Sequence, residues 1–115
     1  MKLDLPYFQH IRDAIESIEE YTSGGRDIFF TDRKTQDAVI RQFEIIGEAI
    51  KHVSQDLKSR HPDVSWRTVA GLRDRLIHGY MDVNLDTVWE IAENRLPAFR
   101  EQVTNILSDL ENREK

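Results

Sequence analysis

Apolar residues recur every three or four positions along most of this chain, and that periodicity constrains its fold more than any other feature. Val39, Phe43, Ile46, Ile50, Val53 and Leu57 alternate steps of four and three. A helix completes a turn in 3.6 residues, so such a row lies along one face. The seam is heptad-like and suits long antiparallel packing. It predicts a helix over about residues 32–57, with Thr31 or Asp32 as its cap. Ile40, Ile45 and Ala49 widen the stripe, as expected of a central helix or of one that also serves a subunit interface. Gly47 sits inside this helix and costs about 1 kcal/mol of helix propensity relative to alanine. Close approach of another backbone would account for it.

Three more segments share the pattern. Phe8, Ile11, Ile15 and Ile18 predict a helix over about residues 4–22, with Asp4 as its N-cap, Pro6 in its first turn and Ser23-Gly24-Gly25 at its end. A short linker follows, and the pair Phe29-Phe30 should pack back on the core. Arg60-His61-Pro62-Asp63 reads as a turn. Ser65 then caps a third helix with Trp66, Val69, Leu72 and Leu76 on one face and Gly79 just past its end. The fourth runs from about residue 84 to 110, with Leu85, Val88, Ala92, Leu96, Phe99, Val103, Ile106 and Leu110 in its stripe. Pro97 interrupts it. The ring removes the bond to the Glu93 carbonyl, so a kink or break is expected there. No strand pattern, repeat or low-complexity tract is present. The fold class is all-α, an antiparallel bundle of four long segments, or five if Pro97 divides the last.

A chain of 115 residues fits one domain, residues 1–115, with a tail at 110–115 that should fray. The absence of cysteine excludes disulfide scaffolds, thiol catalysis and Cys-ligated metals. No apolar run approaches the ~18 residues of a membrane helix, and the first residues carry no export signal. A soluble, cytoplasmic protein without membrane contact is therefore expected. The net charge of −5 argues against a generic nucleic-acid binder, which needs a basic footprint. The charge is unevenly spread. Lys58, Arg60, Arg67, Arg73 and Arg75 face only Asp63 and Asp74 between residues 58 and 78, so the middle of the chain is basic and the rest acidic.

Standard catalytic motifs are missing: no glycine-rich phosphate loop, no G-x-S-x-G, no H-E-x-x-H. Glu44, Glu48 and His52 share a helix face at spacings of four. That face points away from the apolar seam and lacks a Glu-x-x-His step, so it reads as a solvated outer surface. His10 and His61 read as isolated.

The stretch Leu72-Arg73-Asp74-Arg75-Leu76-Ile77-His78-Gly79-Tyr80 is the most informative. In a purely structural account a helix ends at Gly79, His78 favours the C-terminal dipole, and Arg73 and Arg75 are surface charges. The same side chains are also the parts of a nuclease. Histidine exchanges protons near neutral pH, and arginine presents a planar fork to a phosphate. A base would deprotonate a ribose 2′-hydroxyl, which would attack the adjacent phosphorus. On an unbroken helix Arg73 and His78 would lie about 140° apart. One site therefore needs the chain to bend at the helix end, or a second subunit near a two-fold axis.

Arg73-x4-His78-x-Tyr80 resembles the R-x4-H-x-Y signature of the HepT-like toxins, within the HEPN superfamily. Ile45-Ile46-Gly47-Glu48-Ala49 is similar to the family's second-helix signature. Trp66, Gly71-Leu72-Arg73, Leu76-Ile77-His78-Gly79-Tyr80, Val83 and Val88-Trp89 resemble its central block, and Leu96-Pro97 follows in place. The resemblance covers roughly residues 5–107. It implies a HEPN-like helical homodimer with the motif in a cleft by the dimer interface, acting as a metal-independent endoribonuclease on messenger RNA or tRNA and needing no cofactor. It also implies a toxin whose cognate antitoxin, a minimal nucleotidyltransferase, transfers AMP from ATP onto the motif tyrosine. Carried over by position, Arg73 and His78 would be catalytic and Tyr80 the modified residue, with Asp74 and Arg75 as supporting groups. Asp74 departs from the commoner asparagine. Its carboxylate would repel RNA or orient Arg73 or His78. The alternative reading is a non-catalytic helical module that binds a nucleotidyltransferase, and the acidic net charge fits it.

Overall fold

The structure, a computed structural model, describes residues 3–77 and 82–113. It is all-helical. The elements are α1 (Asp4–Tyr21), α2 (Arg26–Thr31), α3 (Arg33–Lys51), α4 (Gln55–Arg60), α5 (Trp66–Ala70), α6 (Leu72–Leu76), α7 (Leu85–Glu90), a π-helical turn (Ile91–Arg95) and α8 (Leu96–Arg113). The longest helices organise the rest, because α1 packs along both α3 and α8. The expected stripes form the core: Phe8, Ile11, Ile15 and Ile18 of α1, Val39, Phe43, Ile46 and Ile50 of α3, and Val103, Ile106 and Leu110 of α8 are all buried. Among the described residues no helix is long and apolar enough to cross a membrane.

Several expected boundaries are corrected. Asp4 does not cap α1. The N-cap position is Leu3, with no side-chain bond, and the Asp4 carboxylate is buried instead, accepting from the backbone N–H of Ser54 at 2.8 Å and from its hydroxyl at 2.7 Å. That clasp also explains why the long second helix is two helices. α3 ends at Lys51, and the Ser54 hydroxyl accepts from the Leu57 N–H to cap α4. An apolar seam that runs unbroken from Val39 to Leu57 does not reveal this, because Ile50 before the break, Val53 within it and Leu57 after it are all buried. Asp32 caps α3 as expected, accepting from the Lys34 N–H.

The linker before Phe29-Phe30 is itself a helix, α2. Phe29 is buried, with its ring 5.2 Å from Phe30 and 5.3 Å from Trp89. The third helix is divided at Gly71 into α5 and α6, and Ser65 makes no side-chain capping bond. Trp66 ties this region down: its indole N–H donates to the carbonyls of Lys58 and His61, and its ring meets Phe8 edge-on at 6.2 Å. Gly47 does sit at a close approach. A Cβ added there would lie 3.4 Å from the Val69 carbonyl oxygen and 3.6 Å from that of Ala70.

The interruption expected from Pro97 is present, as a π turn and not as a break. The strain is taken up one turn earlier, where Ile91–Arg95 widens to π geometry around the carbonyl that the ring would strike. α8 continues to Arg113, and Leu110 is buried.

Candidate active site

α6 positions the first half of the R-x4-H-x-Y motif. Leu72 and Leu76 are buried and anchor this five-residue helix, which puts Arg73 on its exposed side. The helix ends at Leu76 rather than near Gly79. Ile77 is extended, at φ −120° and ψ 112°. It pairs in an isolated antiparallel bridge with Val83, and the Asn84 N–H donates to the Leu76 carbonyl at 3.1 Å. Asn84 then caps α7 by accepting from the Thr87 N–H. The rotation expected between Arg73 and His78 on an unbroken helix therefore does not apply, since the chain leaves the helix between them. His78 and Tyr80 lie outside the described residues.

The Arg73 side chain is 55% exposed. Its Nε is 3.4 Å from Oε2 of Glu44 on α3, and its Nη1 is 3.6 Å from Oδ1 of Asp74. The Glu44 side chain is only 26% exposed, against 89% for Asp74. Arg41 approaches the other oxygen of Glu44, with Nη1 3.9 Å from Oε1. Asp74, one of the expected supporting groups, thus lies beside Arg73. Arg75, the other, lies on a different side of α6, along an apolar groove of about 270 Å3 that also includes Phe43, Leu72, Ile91, Arg95 and Phe99.

The expected solvated row on α3 is only partly that. Glu48 is exposed and pairs with Lys51 at 3.2 Å. His52 is exposed but stacks on Tyr7, with ring centroids 5.3 Å apart. Glu44 turns from the row to Arg73. Among the described residues, no three His, Asp or Glu side chains group as metal ligands would. His10 is exposed, whereas His61 is half-buried, its Nε2 4.0 Å from Asp109. Glu44 is the residue that the motif did not reveal. The available signal was Gly47, three positions on and about 60° away around α3. Its missing side chain admits the Val69 and Ala70 backbone, which leads directly into α6 and Arg73.

Comparisons with known proteins identify a family and several relatives. A family model described as "Ribonuclease HepT-like" matches residues 11–106. The chain is 44% identical over 98 residues to "Probable ribonuclease HepT" of Thermococcus cleftensis, covering 82% of this chain and 86% of that protein. It is 37% identical over 108 residues to a "Putative RNase" of Caldanaerobacter subterraneus subsp. tengcongensis, covering 93% and 96%. A Methanocaldococcus jannaschii protein named "Gamma-glutamylcyclotransferase and putative RNase" is 41% identical over 106 residues, which are 91% of this chain but 48% of that protein, so the chain spans about half of its length. No solved structure matches at a significant level. With the family model covering most of its length, from the second turn of α1 to the last turns of α8, the chain belongs to the HepT-like ribonuclease family.

Proposed function

We propose that this chain is a metal-independent endoribonuclease and the toxin of a HEPN–nucleotidyltransferase module. It would act in the cytoplasm as a homodimer of a single domain, on messenger RNA or tRNA. Arg73 and His78 are the catalytic pair, Asp74 and Arg75 supporting groups, and Tyr80 the residue that receives AMP. The observation that carries the reading is the family match across residues 11–106, within which the R-x4-H-x-Y motif stands complete. The exposed Arg73 guanidinium supports it, because a phosphate must reach that group. In the proposed reaction a base takes the proton of a ribose 2′-hydroxyl, the oxygen attacks phosphorus, and the 5′-oxygen leaves with a proton from an acid. The products are a 2′,3′-cyclic phosphate and a 5′-hydroxyl end. Arg73 stabilises the charge that builds on the phosphoryl oxygens.

The test uses purified, unmodified protein and total RNA in EDTA beside His78→Ala. Cleavage by the parent and none by the variant, with the fold intact, is the expected result. Equal cleavage by both would remove His78 from the mechanism.

The antitoxin reaction is tested separately. The Tyr80 phenol would attack the α-phosphorus of ATP, pyrophosphate would leave, and AMP would remain on the oxygen. With a cognate nucleotidyltransferase and ATP, mass spectrometry should find one AMP on Tyr80 and none on Tyr80→Phe. An adduct elsewhere would defeat this assignment. A bulky anion two residues from His78 would repel RNA phosphates, which makes the modification an off switch.

The second reading is a non-catalytic partner of a nucleotidyltransferase. The net charge of −5 and the two carboxylates beside Arg73 favour it. A stable complex with that enzyme, together with no RNA cleavage by the free protein, would select it.

A further inference from the structure

We propose that Glu44 is a positioning residue for Arg73, holding the guanidinium so that its outer nitrogens face the scissile phosphate. This rests on the reading of Arg73 as a catalytic group.

The argument begins with what Arg73 lacks. It stands on a helix of five residues, and its side chain is more than half exposed. Such a chain has many rotamers open to it when free. Left to itself it would sample many orientations, and an arginine that must be oriented during reaction contributes less than one already oriented. Asp74 is a poor anchor. It lies on the same short helix, is almost wholly solvated, and sits 3.6 Å from the Nη1 edge, which a phosphate would use.

Glu44 has the opposite properties. It belongs to α3, a 19-residue helix whose other face is the core. Its side chain is three-quarters covered, so its charge is screened less than that of a surface pair. One oxygen points at Arg73 Nε, and the other lies within 3.9 Å of Arg41. Contact at Nε is the productive choice, because it grips the guanidinium from the side and not through the outer nitrogens that would face a phosphate. The approach that makes the contact possible is set by backbone, where α5 closes on Gly47 one turn along the same flank of α3.

A carboxylate near a phosphate-binding arginine could also act in the opposite sense. It could compete with RNA for Arg73 and slow the enzyme. The two roles differ in sign, and one substitution separates them.

The experiment measures kcat and KM for RNA cleavage with the full chain as parent, Glu44→Gln, Glu44→Asp, Arg73→Ala and the Glu44→Gln/Arg73→Ala double variant. Thermal melting accompanies each. Glu44→Gln keeps shape and removes charge. It should lower kcat by roughly ten- to a hundredfold, with KM unchanged or lower and melting close to the parent. Glu44→Asp keeps the charge and should recover part of the loss. In the Arg73→Ala background Glu44→Gln should have no further effect, since the group it positions is gone.

A parental or raised kcat in Glu44→Gln overturns the proposal while leaving Arg73 catalytic. So does an equal loss with and without Arg73, which would mean that Glu44 acts independently. Full activity in Arg73→Ala, or none in the parent, would instead defeat the reading beneath it.

Discussion

Arg73→Ala should reduce RNA cleavage by roughly 10²–10³-fold, the usual cost of removing one preorganised donor from a developing oxyanion. The structure makes this substitution a clean one. Arg73 points outward from α6, and its ion-pair contacts are the carboxylates of Glu44 and Asp74 rather than the core. Arg73 is itself more than half exposed, and Glu44 keeps Arg41 beside it, so the fold should survive. The loss should appear in kcat more than in KM if the arginine acts on the transition state. Arg73→Lys should recover only part of the rate, because an ammonium is a point charge and cannot present two parallel donors. Its Nζ would also have to choose between Glu44 and the phosphate, whereas the guanidinium serves both through different nitrogens. Single-turnover cleavage with saturating enzyme reads the chemical step directly. Parental rates in Arg73→Ala would contradict its assignment.

Phe8→Ala should have the largest effect on stability, about 3–5 kcal/mol. Phe8 is fully buried in α1, the helix that packs on both α3 and α8. Truncation there loses the transfer energy of the ring and leaves a cavity at the junction of those helices. It also removes the edge-on contact with Trp66, and aromatic pairs of this kind add about 0.5–1.5 kcal/mol beyond burial. Trp66 holds the turn after α4 through two hydrogen bonds, so the damage should spread toward α5. A domain of this size has roughly 5–15 kcal/mol in all, so the loss is a large share of the total. Urea denaturation is the measurement. The midpoint should fall with little change in slope, and a fall below 1 kcal/mol would mean that the site collapses around the smaller side chain.

These two residues mark what was legible in the sequence. Phe8 was legible because burial imposes a period, and the stripe Phe8, Ile11, Ile15, Ile18 matches the helix directly. Arg73 was legible only through its company, since a lone arginine before a histidine has many explanations and the wider block of residues supplied the family. The misses have a common physical origin. Asp4 was expected as a cap because an acidic residue before an apolar run usually is one; a bond to Ser54, fifty residues away, overrode that local preference. The division of the second helix followed from the same contact. Glu44 reads as solvent-facing because it shares with Glu48 and His52 a face that points away from the apolar seam, yet Arg73 of α6 reaches one flank of that face. Local pattern reports which side of a helix is apolar. It does not report which polar residue another helix will reach.

The π turn has a consequence for how the last third of the chain counts its residues. Val88, Ile91, Leu96, Val103, Ile106 and Leu110 are all buried, and the step from Ile91 to Leu96 is five. In an α-helix five residues advance about 140° past a full turn and would put Ile91 and Leu96 on different faces. In a wider turn bonded i to i+5 the same step nearly closes. The wider turn therefore lets Ile91 and Leu96 share the buried side. It is a phase correction that keeps one continuous dry edge from α7 into α8. The helix thus absorbs a residue more than a regular one would over the same height, and both of its ends stay seated on the core.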